Sequence, residues 1–348
     1  CLYQIGKGQE SILIVVYVDD ILIASRNLED IKGLIRKLSS IFDVKDIGEV
    51  GYCLGIEFQR TAKEIKLHQR GFICDLLDRF GMCDANPVST PMDCNTKLQK
   101  NVNPVSVEET KLPYRELIGA LNYLSMATRP DISYTVSYLS QFNNCYSKTH
   151  WIAAKRVLRY LKGSMNLGII FRCGSEDGPT GYVDADWGGC PDDRRSYTGF
   201  TFMLSGGPIS WESKKQKTVA LSSTEAEYMG MTEALKEGIY LRKMFLELGL
   251  NDLSKMKMFN DNLSAIKLSE NPTFHARSKH IDIRYHFIRE ALKNGIISIG
   301  HISTENMLSD ILTKRLPRNK HEDCVTMMGM KSYDKDHSAT RGEVLESG

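Results

Sequence analysis

The sequence predicts a multidomain protein of α/β and α+β character whose second half is built on a mixed central sheet. Three observations point there. At 348 residues the chain exceeds one ordinary domain of roughly 100–200 residues. Hydrophobic residues make up 42% and charged residues 25%, a balance that lets a soluble chain bury real cores. Near Leu167 the texture changes from helices to a run of strands, followed by alternating helices and strands, the order of a mixed α/β sheet.

In the first half, Ile12 to Val16, Tyr17 and Val18 form an apolar run, and Ile21 to Ala24 a second. Two such runs around Asp19 and Asp20 read as a β-hairpin with the acids at its tip. Ile31, Leu34, Ile35, Leu38, Ile41 and Phe42 repeat at helical spacing, with Asn27 placed to cap the start. Strand-like runs follow at Tyr52 to Phe58 and Ile65 to His68, then a helix from about Phe72 that stops at Gly81. Residues 86–113 are polar and contain four prolines, which reads as an exposed linker. Three helices come next: Tyr114 to Met126, one opened by Arg129-Pro130, and Trp151 to Leu161.

The second half opens with strand-like runs at 167–172, 181–187, 197–204, 208–212 and 218–221. Ser222 and Glu225 form a capping box at the start of a helix reaching about Leu248. A strand (Met256 to Phe259), helices (Leu263 to Leu268, Ile281 to Lys293), a strand (Ile296 to Ile302) and a helix (about Glu305 to Lys314) complete the pattern. The polar stretch from Lys331 is expected to be disordered. The expected domains are 1–81, 82–165, 166–316 and a largely disordered tail, 317–348.

The net charge of +2 offers no global attraction for nucleic acid, so any such partner needs local basic patches. Nine scattered cysteines without a C-x-x-C pair argue against a zinc module or disulfide framework and for a reduced intracellular setting. No apolar run approaches the ~20 residues that span a bilayer. The start lacks the charged-then-apolar order of a signal peptide. Cytoplasm, including a virus-like particle, or nucleus is the expected location, and a start at Cys1 suggests a fragment or processing product.

Four acids fall where the second-half fold could converge them. Asp184 lies in G-Y-V-D-A-D-W, Glu227 in S-S-T-E-A-E-Y, Asp261 in M-F-N-D-N and Asp310 in N-M-L-S-D-I-L-T-K. Asp186 shares a strand face with Asp184, so the choice between them stays open. Glu225 competes with Glu227, though the capping box gives it another task. Their order and contexts resemble type-1 ribonuclease H, a ribonuclease H-like fold in which four carboxylates hold two divalent ions at the scissile phosphate. The resemblance implies Asp184, Glu227, Asp261 and Asp310 as catalytic metal ligands, two Mg²⁺ with Mn²⁺ as substitute, and an RNA–DNA hybrid as substrate. It also implies a role for Asn306, and one for His301 as a mobile histidine if its offset is right. Hydrolysis of a phosphodiester needs an activated water and a stabilised leaving oxygen, and two ions ~4 Å apart supply both. The related integrase pattern fails on spacing, because Ile296 stands where its third carboxylate would fall. Arg194, Arg195, Lys214, Lys215, Lys217, Lys279, Arg284 and Arg289 could meet phosphates, or could equally be solvated turns and helix faces.

Y-V-D-D, Tyr17 to Asp20, resembles the catalytic turn of reverse transcriptases. V-K-D-I-G-E-V-G-Y-C-L-G-I-E-F, P-V-S-T-P-M, Y-R-E-L-I-G-A-L-N-Y-L, A-T-R-P-D-I, A-A-K-R-V-L-R-Y-L-K-G and S-K-H-I-D-I-R-Y-H-F-I-R-E resemble copia-type retrotransposon Pol polyproteins over about residues 1–330. This implies a partial reverse-transcriptase palm and thumb before the nuclease, with Asp19 and Asp20 as metal ligands and the rest of the polyprotein as a partner. The residues before Tyr17 contain no Asp, so the chain as given is expected not to polymerise. A decayed or host-captured element that binds nucleic acid without catalysis is the rival reading. A polymerase subunit that borrows its missing half from another chain is a further one.

Overall fold

The computed structural model describes residues 1–100, 111–174, 178–270 and 282–332. Strands β1 (Leu2–Ile5), β2 (Ile12–Tyr17) and β3 (Asp20–Ala24) form a three-stranded antiparallel sheet. Tyr17 faces Asp20 across the hairpin, and Val18 in the turn lies in the left-handed region at φ 52°. A β-branched residue is strained there, because its Cβ crowds the backbone. Helix α1 (Leu28–Ser39) starts where Asn27 accepts the Glu29 N–H at 3.0 Å, as its sequence anticipates.

β4 (Tyr52–Cys53), β5 (Ile56–Arg60) and β6 (Glu64–His68) run as an antiparallel meander into α2 (Arg70–Arg79). Helices α3 (Tyr114–Ala127), α4 (Ser133–Ser140) and α5 (Lys148–Gly163) pack with α2 around Leu117, Leu121, Val136, Leu139 and Leu158. Met92 and Leu98 enter this core, so part of the expected exposed linker is buried; residues 101–110 lie outside the described residues. Within the helical core Arg129 and Asp131 form a fully buried pair. Arg129 Nη2 lies 2.7 Å from Asp131 Oδ2, which also accepts the Tyr160 hydroxyl at 2.7 Å. Pro130 between them opens a short 3-10 turn, Pro130–Ile132, where its missing N–H is no loss.

β7 (Leu167–Arg172) begins just past residue 166, where the second half was expected to open. It pairs with β6 and with the last strand, β13 (Met330–Ser332), rather than with the three strands next in the chain, and extends the meander into a five-stranded sheet of order β13-β7-β6-β5-β4. β8 (Thr180–Asp186), β9 (Tyr197–Leu204) and β10 (Gly207–Lys215) are antiparallel, and α6 (Ser223–Glu247) crosses from them to β11 (Met256–Asn260). After α7 (Leu263–Glu270) and α8 (Asp282–Lys293), β12 (Ile297–His301) lies parallel to β11, itself parallel to β8. The order β10-β9-β8-β11-β12 is the expected mixed sheet. Residues 218–221 are not a strand. They lead into α6, and Ala220 O accepts the Trp187 indole N–H at 3.0 Å.

The final acid-bearing helix is also corrected. Two 3-10 turns, Thr304–Asn306 and Leu308–Leu312, replace it, separated by a buried, extended Met307. Beyond them α9 (Arg318–Met327) and β13 (Met330–Ser332) are ordered where a tail was expected, and β13 pairs with β7. Cys324, Met328 and Met330 bury against Leu308, Ile311 and Leu312, which gives this segment its reason to fold. Residues 333–348 lie outside the described residues.

Candidate metal centre

The centre forms where β8, α6 and the end of β11 meet. Asp184 on the middle strand, Glu227 in the second turn of α6 and Asp261 just past β11 each offer a carboxylate oxygen, all within 4.8 Å of one another. Asp184 and Glu227 are 2% and 5% exposed. Burial, then the charge of Asp184, raises the Glu227 pKa well above the usual carboxylate range. Asn260, fully buried, donates its amide to Glu227 Oε2 and to Val183 O, both at 3.0 Å, and so fixes the glutamate against β8. The Thr304 hydroxyl donates to Asp261 Oδ2 at 2.7 Å. The Thr313 hydroxyl donates to Asp184 Oδ2.

Asp310 stands beside this trio rather than within it. Lys314 Nζ lies 2.8 Å from Asp310 Oδ1 and 3.4 Å from Asp184 Oδ2, linking the two acids. Lys320 of α9 approaches Asp310 Oδ2 at 3.5 Å, while two backbone carbonyls, Thr304 O and Glu305 O, accept from its ammonium at 3.0 and 2.6 Å. Burial, reinforced by the Asp184 charge, lifts Asp310 to about 6. Burial would lower the Lys314 pKa, but the Asp184 and Asp310 carboxylates outweigh it and hold the amine charged.

Asp186 is separated from Asp184 by its partner: it accepts the Tyr197 N–H at 2.7 Å and lies outside the trio. Glu225 accepts the Leu221 N–H at 2.8 Å at the helix start, in keeping with a capping role. Several basic candidates are engaged locally. Lys215 contacts Asp193 at 2.8 Å and Cys190 Sγ at 3.0 Å, and Arg195 pairs with Asp193 at 3.8 Å. Arg194 is exposed at φ 56°. Arg289 donates to Leu268 O at 3.2 Å. Lys279 and the Arg284 side chain lie outside the described residues. His301 is exposed at the end of β12, opposite Asn260 in register and so beside the Asp261 turn. Asn306 donates to Ser303 Oγ at 3.1 Å. Asp19 and Asp20 occupy the exposed hairpin of a different sheet.

Sequence reasoning missed Asn260, Thr304, Thr313, Lys314 and Lys320. Asn260 and Lys314 had visible signals, the one adjoining Asp261 and the other four residues beyond Asp310. The donor set suits a hard divalent cation, which prefers carboxylate oxygen, and three converging acids are mutually repelled until a cation joins them.

A central sheet of order β10-β9-β8-β11-β12 with acids on the middle strand, the crossing helix and the next strand end is a ribonuclease H-like fold. Residues 1–94 match the family model for reverse transcriptase (RNA-dependent DNA polymerase). The chain is 44% identical over 331 residues to the retrovirus-related Pol polyprotein from transposon TNT 1-94 of Nicotiana tabacum, covering 92% of this chain and 24% of that protein. It is 41% identical over 329 residues to the Pol polyprotein from transposon RE1 of Arabidopsis thaliana, covering 94% and 22%. A solved ribonuclease H1 isolated from compost, LC11, aligns with 14% identity over 39% of this chain and 92% of that one, at a TM-score of 0.32. The chain belongs to the copia-type retrotransposon Pol polyproteins. It spans about a quarter of the length of these curated relatives.

Proposed function

We propose that the chain is a magnesium-dependent ribonuclease H that cuts the RNA strand of RNA–DNA hybrids, joined to part of an RNA-directed DNA polymerase. One observation carries the reading: Asp184, Glu227 and Asp261 bring oxygens within 4.8 Å of one another from three separate elements of the sheet. Divalent ions held there would supply an activated water and charge neutralisation at the leaving oxygen, giving 5′-phosphate and 3′-hydroxyl ends. The chain's own residues prepare that step. Asn260 and Thr304 fix Glu227 and Asp261, and burial excludes bulk water from Asp184. His301, Asn306 and Arg194 are exposed and would meet backbone phosphates or 2′-hydroxyls, whose presence on one strand tells RNA from DNA. Mn²⁺ would substitute for Mg²⁺, and the rest of the Pol polyprotein would be a partner.

The test is cleavage of an end-labelled hybrid by the purified chain with Mg²⁺, beside Asp261→Asn. The parent is expected to cut, and the variant to lose roughly a thousandfold, about 4 kcal/mol of transition-state stabilisation. Binding of the hybrid without cleavage by the parent would sink the nuclease reading in favour of a non-catalytic nucleic-acid binder.

A further inference from the structure

The geometry points to Lys314 as a resident cation of this centre, whose ammonium keeps a second divalent ion out of the free protein. This rests on the nuclease reading and concerns how many ions its site takes up, and when. The trio of converging oxygens leaves out Asp310, although Asp310 is only 2% exposed and next to Asp184. Lys314 Nζ lies between those two acids, at 2.8 and 3.4 Å, so a further cation approaching both would have to displace it.

The two lysines near Asp310 differ in kind. Lys320 is fixed by the Thr304 and Glu305 carbonyls and tethers the turn that carries Thr304, so its ammonium serves as a clamp. Lys314 meets the two carboxylates, and its side chain is 37% exposed. A four-carbon stem on that side can swing outward without disturbing the core. An ammonium in place satisfies one unit of the acids' charge and repels a dication from the same oxygens. An incoming phosphate offers that ammonium an equally strong acceptor. Lys314 would then follow the phosphate, and the second ion would enter with the substrate. The free protein would hold a single ion at Asp184, Glu227 and Asp261.

The test is Mn²⁺ binding to the full chain without nucleic acid, read by calorimetry and by the electron-paramagnetic signal of the bound ion. The parent is expected to bind one Mn²⁺ per chain. Lys314→Met, which keeps the stem, is expected to bind two and to show a spin-coupled pair, and Lys314→Arg, which keeps the charge, to bind one. Lys314→Gln repeats the neutral variant if the methionine fails to fold, judged by circular dichroism. Two ions in the parent, one in both neutral variants, or two in Lys314→Arg would each overturn the role of Lys314 while leaving the metal centre standing. No binding by the parent would remove both the inference and the centre beneath it.

Discussion

Two groups of acids in this chain sit in opposite surroundings. Asp19 and Asp20 stand at the turn of an exposed hairpin flanked by Tyr17, 58% exposed, and Val18, 81% exposed. Asp184 and Glu227 are buried and meet Asp261 only because a strand, a helix and a second strand pack together. A hairpin sets neighbouring acids side by side through local geometry alone, and water screens their repulsion. The enclosed group depends on long-range packing and has little water to screen it, so its charges respond sharply to any change nearby. Enclosure, more than the number of acids, is what gives a carboxylate group chemical leverage.

The buried ion pair extends the comparison and carries the largest expected effect on stability. Asp131→Asn leaves the Arg129 guanidinium enclosed without its counter-charge, and both side chains of the pair are 0% exposed. Loss of one partner of a buried pair costs about 3–5 kcal/mol. Glu49→Gln breaks the Arg60–Glu49 pair at 3.3 Å, whose side chains are 63% and 75% exposed, and is expected to cost under about 1 kcal/mol. Urea unfolding of both variants measures the contrast. Equal losses would mean that enclosure does not govern the strength of charge pairs here.

Asp186 provides a smaller, pH-dependent version of the same contrast. Burial, aided by the charge of Asp184 and opposed by the Tyr197 N–H, lifts its carboxyl from an ordinary 3.8 to about 6. Between those values the folded chain binds more protons than the unfolded chain. This group's contribution to stability therefore falls as pH rises from about 4 to about 6 and is level above that. Asp186→Asn keeps an acceptor for Tyr197 but cannot ionise. With metal chelated, it is expected to match the parent near pH 4 and to exceed it by about 3 kcal/mol at pH 7. A stability difference that stays constant across that pH range would refute the enclosed charge at Asp186.

Much of this contrast was legible in the sequence. The hairpin, the Asn27 cap, the Ser222 cap and the strand and helix contexts of Asp184, Glu227 and Asp261 are local signals, and the fold keeps them, with Glu225 turned to the Leu221 N–H instead of closing the box on Ser222. Pairing is not local. The run Leu167–Arg172 reads as a strand whichever sheet it joins, and its partner β6 lies about a hundred residues upstream. The segment of α9 falls within the expected tail because its buried residues, His321 and Cys324, are too sparse to show a helical stripe. Lys320 belongs to that helix, so its approach to Asp310 could not be read without it. Asp310 itself sits in a 3-10 turn because the extended Met307 interrupts the expected helix.

Glycine substitutions probe the packing that separates the two regions, with the smallest expected effects. At Gly199 on β9, an added Cβ would lie 2.5 Å from Leu312 Cβ and 2.8 Å from Thr313 Cγ2. Those atoms belong to the segment that carries Asp310, Thr313 and Lys314, so Gly199→Ala pushes on the centre itself. Overpacking of this kind costs about 1–3 kcal/mol, and hybrid cleavage is expected to fall with it. At half-buried Gly33, in the middle of α1, an added Cβ meets nothing within 4 Å and the backbone is already helical. Gly33→Ala is expected to stabilise the chain by up to about 1 kcal/mol through helix propensity alone, with cleavage unchanged. Thermal melts and initial rates on the two variants suffice. If Gly199→Ala proves as harmless as Gly33→Ala, the contact between β9 and the 312–313 segment is not tight, and the enclosure of the acids beside it is looser than these distances imply.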